Sequence, residues 1–342
     1  MRLTPRRAAF AVAALCLAMT ALALAVTAAV DAARPGIAEP APQEAPALLS
    51  ILRFDFHEHA TPGTVEYAVR VADASGISGL VNLGGGAAGA GLEAQLKAAR
   101  PHGGRVLVFM NLDLDGCCRP AWAAREAARL AAGKALGARG LEVADPLAID
   151  TPPLEPIWEA TAALGLPVVV RTGDLGALVR LVERHPRTTF VGAHFGGGAQ
   201  DPAAVARLMD RLPNLWVDTA GRVPDLGQRA EETRRAILAH PDRVLFGTGL
   251  RYVESGGEEG MILVPGRAIL LDPELLGGQE RSTFFLSTYS FFETRDRAMP
   301  SPVPIPGSSP IDGMGLPRRA LEALYHGNAA RLLRIDLEEV GR

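Results

Sequence analysis

The sequence predicts a (β/α)8 TIM barrel of the α/β class. Short apolar strand-like runs alternate with Ala/Leu/Arg-rich amphipathic stretches from Leu49 onward, and eight such runs recur in order. That alternation calls for parallel strands joined by crossover helices, and eight of them suit a closed barrel better than an open sheet. A doubly wound sheet would need a Gly-rich phosphate loop after its first strand. The triplet Gly84-Gly85-Gly86 follows the second run instead and lacks that spacing.

The strand candidates are 49–56, 79–83, 106–112, 140–143, 167–171, 189–193, 215–219 and 243–247. Helical stretches lie between them at 64–75, 91–100, 121–136, 154–164, 175–185, 203–212 and 228–240. Their ends carry signals. Thr61-Pro62 precedes the first helix, Asp174 caps the fifth, and Asp201-Pro202 opens the sixth. Gly165 and Pro213 stand where helices should stop. After the eighth strand the pattern breaks into insertions. Residues 250–278 are rich in Gly, Pro and Glu, a Phe-rich helix follows at 280–296, and 299–317 is rich in proline. A closing helix at 318–333 ends the barrel domain, placed at 48–336. Insertions after late strands belong to the functional face, so the barrel is expected to be distorted there.

Composition narrows the classes. With 48% hydrophobic residues the chain has material for one large core. The formal net charge of −3 and the lack of a basic stripe argue against nucleic acid as a partner. Residues 1–30 read as an export signal, with Arg2, Arg6 and Arg7 ahead of an uncharged run from Ala8 to Val30. The run is long for a signal, so an uncleaved membrane anchor is the alternative. Either way the protein is expected to be exported: periplasmic, extracellular or membrane-anchored, touching a membrane only through that segment. Residues 31–47, rich in Pro, Ala and Glu, read as a flexible tether. Cys16, Cys117 and Cys118 form no disulfide framework. The adjacent pair is either a vicinal disulfide or two thiols in a loop.

The chemistry sits at the strand ends. The first strand ends Phe54-Asp55-Phe56-His57-Glu58-His59. Strand alternation sends Asp55, His57 and His59 the same way, into the barrel mouth. Two imidazoles at i and i+2 can grip one divalent metal from a single strand end. The sixth strand ends Ala193-His194-Phe195-Gly196-Gly197, which gives His194 as a metal ligand or an acid–base group.

Read together, FDFHEH, LEPIWEATAALGLPVVVRTGD, TTFVGAHFGG, NLWVDTAG, RVLFGTGLRY and the closing LPRRALEALYHGNAARLL resemble the amidohydrolase-related branch of the amidohydrolase superfamily. The likeness runs in order from about Phe54 to Leu333. It implies a distorted TIM barrel and a divalent metal, commonly zinc, at the strand C-termini. It also implies metal-dependent hydrolysis or non-oxidative decarboxylation of a small molecule.

Three positions depart from the family pattern. Arg171 stands where the fifth strand usually ends in His, Gly249 where the eighth usually ends in Asp, and Glu142 where many relatives have Lys. An arginine has no lone pair to offer a metal and repels a dication. Glu142 either serves as a third ligand beside His57 and His59, or pairs with Arg171 on the neighbouring strand. Three functions follow. The first is a metal-dependent hydrolase with His194 as acid–base. The second is a carboxy-lyase in which Arg171 holds the substrate carboxylate. The third is a silent binding or scaffold protein that has lost the metal. Oligomerisation is compatible with all three.

Overall fold

The computed structural model describes residues 49–117, 119, 121–144, 149–255, 258–263, 279–302 and 309–336, without the side chains of 253–263 and 279–283. All of these fall within the unit Ala47–Arg342. The leader, the tether and Cys118 lie outside the described residues. No helix among those described is long and apolar enough to cross a membrane.

Eight strands form one sheet in sequential order: β1 (Phe54–Glu58), β2 (Gly79–Asn82), β3 (Val106–Met110), β4 (Gly140–Ala144), β5 (Val168–Arg171), β6 (Phe190–Gly192), β7 (Leu215–Asp218) and β8 (Val244–Leu245). All seven neighbouring pairs are parallel. The barrel closes through the residues just after β8. Phe56 N–H donates to the Phe246 carbonyl at 2.8 Å, Gly249 N–H to that of His57 at 2.9 Å, and His59 N–H to that of Leu250 at 2.9 Å.

Helices α1 (Val65–Ala74), α2 (Leu92–Ala99), α3 (Trp122–Leu136), α4 (Glu155–Leu164), α5 (Leu175–Arg184) and α6 (Pro202–Arg211) fill the crossovers through β7. The short α7 (Val223–Gly227) and α8 (Ala230–Ala239) fill the last. The expected caps form. Asp174 accepts from Ala177 N–H at 2.9 Å and Asp201 from Ala204 N–H at 2.8 Å, while Gly165 ends α4 at φ 62°.

Three boundaries differ from expectation. β1 starts at Phe54, because Leu49 N–H is taken by Glu293 and pairing with β2 begins only at Gly79. The insertion after β8 contains an antiparallel hairpin, β9 (Arg251–Ser255) and β10 (Glu258–Leu263). The Phe-rich α9 (Gln279–Glu293) leads back to the closing segment, which is α10 (Arg318–Glu322), a π-helical turn (Ala323–Gly327) and α11 (Asn328–Leu333). That turn has a cause: Phe246 N–H takes the Leu324 carbonyl at 3.1 Å, stitching the last helix to the barrel.

Burial sorts the strand residues into two sets. One set faces the helices: Leu80, Val106, Val108, Leu141, Val143, Val168, Val170, Phe190, Leu215 and Val217. The other fills the lumen: Phe54, Phe56, Val81, Leu107, Phe109, Val169, Val191, Ala193 and Leu245. Alternation then aims Asn111, Glu142, Arg171 and Asp218 into the lumen at the C-terminal mouth.

Candidate active site

The three histidines do not follow that simple rule. With Phe54 and Phe56 in the lumen, His57 and His59 should face the helices. A register shift between Asp55 and Glu58 reverses them. It is a bulge, a device that re-aims a side chain at a strand end. Beyond it His57 Nδ1 meets Asp218 Oδ2 at 2.9 Å, and His57 Nε2 lies 3.3 Å from His59 Nε2. Asp55 stays on the far side, where it accepts from Thr248 N–H at 3.1 Å and from the Thr248 hydroxyl. The expectation that Asp55 shares a face with the two histidines is thereby corrected.

His194 is re-aimed differently. Val191 and Ala193 face the lumen, so His194 should turn toward the helices. Instead four successive residues, His194 through Gly197, have positive φ, with His194 at 59° and Phe195 at 60°. This left-handed turn swings the His194 ring to 4.9 Å from the His57 ring. Side chains with a β-carbon rarely occupy that region, and such strain gathers at functional sites. His194 Nδ1 donates to the Ala220 carbonyl at 2.8 Å, leaving Nε2 with its lone pair.

Asp218 links the two ends. Its Oδ2 receives His57, and its Oδ1 accepts the backbone N–H groups of His194 at 2.8 Å and Ala220 at 3.0 Å. Within NLWVDTAG the sequence alone assigns Asp218 no role. Its position at the end of β7, on the lumen face, was the available signal.

Glu142 projects from β4 and accepts from Asn111 Nδ2 at 2.9 Å through Oε2. Its Oε1 is buried with no hydrogen-bond partner. Arg171 projects from the end of β5, and its Nε is likewise buried without a partner. No Glu142–Arg171 contact falls within ion-pair distance among the described residues, so the two groups interact only through space. Arg251, the first residue of β9, forms a parallel bridge with His59 and was not singled out in the sequence.

The electrostatics follow from burial. Burial disfavours charge on His57, but Asp218, Glu142 and Asp55 together outweigh it and raise its pKa. Burial, reinforced by His57, Arg251 and Arg171, drives His59 well below the usual histidine range. His194 is also lowered, by burial and by His57, against the pull of Asp218. Burial lifts Glu142, opposed by His57 and Arg171. Asp218 is held low because His57 overcomes its desolvation.

Among the described residues, His57, His194 and Asp218 form a cluster whose ligating atoms lie within 4.8 Å of one another. Both Asp218 oxygens already receive donors, so that carboxylate fits best behind the two histidines, fixing ring and backbone. The candidate ligand atoms are His57 Nε2 and His59 Nε2, which share a 3.3 Å contact, His194 Nε2, and Glu142 Oε1, which is buried without a hydrogen-bond partner.

The family model described as Amidohydrolase matches residues 59–335. A search of curated proteins finds no match. Among solved structures, an uncharacterised TIM-barrel protein from Bordetella bronchiseptica is similar at 18% identity and a TM-score of 0.52, covering 85% of this chain and 100% of that one. A probable 2-pyrone-4,6-dicarboxylic acid hydrolase from Acinetobacter baumannii, with citric acid bound, is similar at 12% identity and 0.51, covering 83% and 100%. So is the 5-carboxyvanillate decarboxylase of Sphingomonas paucimobilis, at 15% and 0.50, covering 84% and 100%. At such identities the likeness is one of fold.

Proposed function

The chain belongs to the amidohydrolase family, and from that premise we propose that it is a metal-dependent hydrolase of a small molecule. One observation carries the reading: the Nε2 atoms of His57 and His59 face each other at 3.3 Å. Two nitrogens about 2.0–2.1 Å from one tetrahedral zinc ion stand about that far apart. The buried, unpartnered Oε1 of Glu142 is an unmet acceptor that a cation nearby would satisfy, since a buried carboxylate oxygen without a donor is costly. His57 and His59 would hold the ion, with Asp218 fixing the His57 tautomer from behind; Glu142 would have to move in as a third ligand, since its carboxylate stands outside the 4.8 Å cluster of ligating atoms. A divalent ion there supplies Lewis-acid polarisation of the bond to be broken.

The chain's own groups do the rest. His194 presents a lone pair on Nε2, because its Nδ1 proton is committed to Ala220. It takes the proton of the attacking water and returns it to the leaving group. No carboxylate stands at position 249 to share that work. Arg171 orients an acidic group of the substrate.

Metal analysis of protein purified without chelator tests this. Near-stoichiometric divalent metal that disappears in His57→Ala and His59→Ala supports it. No metal, even after reconstitution with zinc, overturns it in favour of a silent binding protein. A second reading, a carboxy-lyase, is favoured by the unpaired Arg171 together with Gly249. It predicts carbon dioxide release from an arylcarboxylate or enoic acid and no hydrolysis of esters or lactones.

A further inference from the structure

Most arginines of the barrel are committed. Arg53 pairs with Glu293, Arg129 with Asp113 and Glu126, and Arg180 with Asp150. Arg171 and Arg251 belong to the minority that are not: among the described residues neither has a carboxylate within ion-pair distance or a side-chain hydrogen bond, and these two stand at the strand ends that carry the histidines. Both arginines stand at the mouth. Arg171 ends β5 on the lumen face, and Arg251 bridges to His59 at the end of β1. In a closed sheet of eight strands taken in order, β1 and β5 lie opposite each other. Arg251 therefore stands beside β1 and Arg171 across the mouth from it.

Building on the hydrolase reading above, we propose that the substrate is a small dicarboxylate, held at one end by Arg171 and at the other by Arg251, with its reacting bond over the histidines. A guanidinium is a planar fork that matches a carboxylate in a bidentate contact, and it cannot discharge by losing its proton. The buried Arg171 Nε is an unmet donor that one carboxylate oxygen would satisfy. Arg251 is exposed at the rim, so it selects the second acid group as the molecule enters. A monoacid would leave one cation of the pair uncompensated.

The test is calorimetric titration of the purified full chain with dicarboxylates from malonate to adipate, each against the monocarboxylate of equal length. The series is run before and after metal removal by chelator. At least one dicarboxylate should bind roughly tenfold or more tightly than its monoacid, about 1.4 kcal/mol. Arg171→Gln and Arg251→Gln should each erase that preference, and Arg187→Gln on the exposed rear of the barrel should leave it. Equal binding of diacid and monoacid, no binding of any diacid, or a preference that survives both glutamines overturns the proposal. The two readings fail separately. A metal-free protein that still prefers diacids sinks the hydrolase and keeps the clamp, whereas stoichiometric metal without the preference sinks the clamp alone.

Discussion

The ends of β1 and β6 solve one problem by opposite means. Each must deliver imidazoles to the lumen from positions where strand alternation points away from it. β1 spends a residue: the shift between Asp55 and Glu58 turns His57 and His59 inward, and none of its residues takes a positive φ. β6 spends strain: His194 and Phe195 sit in the left-handed region, each at a cost of about 1–2 kcal/mol. The bulge is held by pairing on both flanks, to β2 and to the residues after β8. The left-handed turn is held by the buried Phe195 ring and by Asp218 on the His194 N–H. A site assembled this way has one end defined by backbone register and another that depends on its neighbours. Asp218 belongs to both.

Removing that shared group is the largest perturbation. Asp218→Ala deprives His57 of a fully buried partner and frees two N–H groups. Breaking a buried pair from one side costs about 3–5 kcal/mol, so denaturant unfolding should show a loss of that order, with affinity for the proposed metal falling about 10–100-fold. Asp218→Asn keeps an acceptor for the turn and should lose less. A loss below about 1 kcal/mol for the alanine variant would mean that the two ends stand independently.

The sequence exposed the barrel because its signals are local and repeated: apolar runs, caps such as Asp174 and Asp201, and stops such as Gly165. It exposed Glu142 and Arg171 as mouth positions because regular strands carry them there. It placed His57, His59 and His194 at strand ends without revealing how their rings turn inward. Bulge and left-handed turn are decided by pairing with other strands, which no short window contains. The string Phe54-Asp55-Phe56-His57-Glu58-His59 does hold a hint, since its apolar positions are even and its histidines odd. Both parities suit a strand buried on each face, so the hint could not choose. Asp218 and Arg251 escaped notice for a related reason, as each gains meaning only from a partner far along the chain.

Two glycines allow each end to be disturbed alone. A β-carbon on Gly247 would stand 2.9 Å from His57 Cβ, and one on Gly192 would stand 2.8 Å from Gly196 Cα. Neither neighbour is the far end of a flexible chain, so each alanine should cost about 1–3 kcal/mol. Their functional effects should part. Gly247→Ala tilts the ring of His57, a proposed ligand, and should weaken metal affinity about 10–100-fold. Gly192→Ala displaces the turn bearing His194, so metal content should survive while turnover falls. Equal loss of metal in both variants would place His194 among the ligands and merge the two ends into one.

The smallest effect calibrates the strain itself. Arg334 closes the last helix at φ 54°, exposed and remote from the mouth. Like His194 it is a non-glycine residue in the left-handed region, but with no hydrogen bond to Asp218. Arg334→Gly removes the β-carbon at a position where helices favour glycine. It also loosens the unfolded chain, which offsets part of the gain. A net stabilisation of about 0.5–1 kcal/mol should remain, visible as a small rise in Tm. If the variant is instead destabilised, the left-handed region is not costly in this chain. The turn at His194 would then be a relaxed feature of β6, and the contrast with β1 would lose its energetic basis.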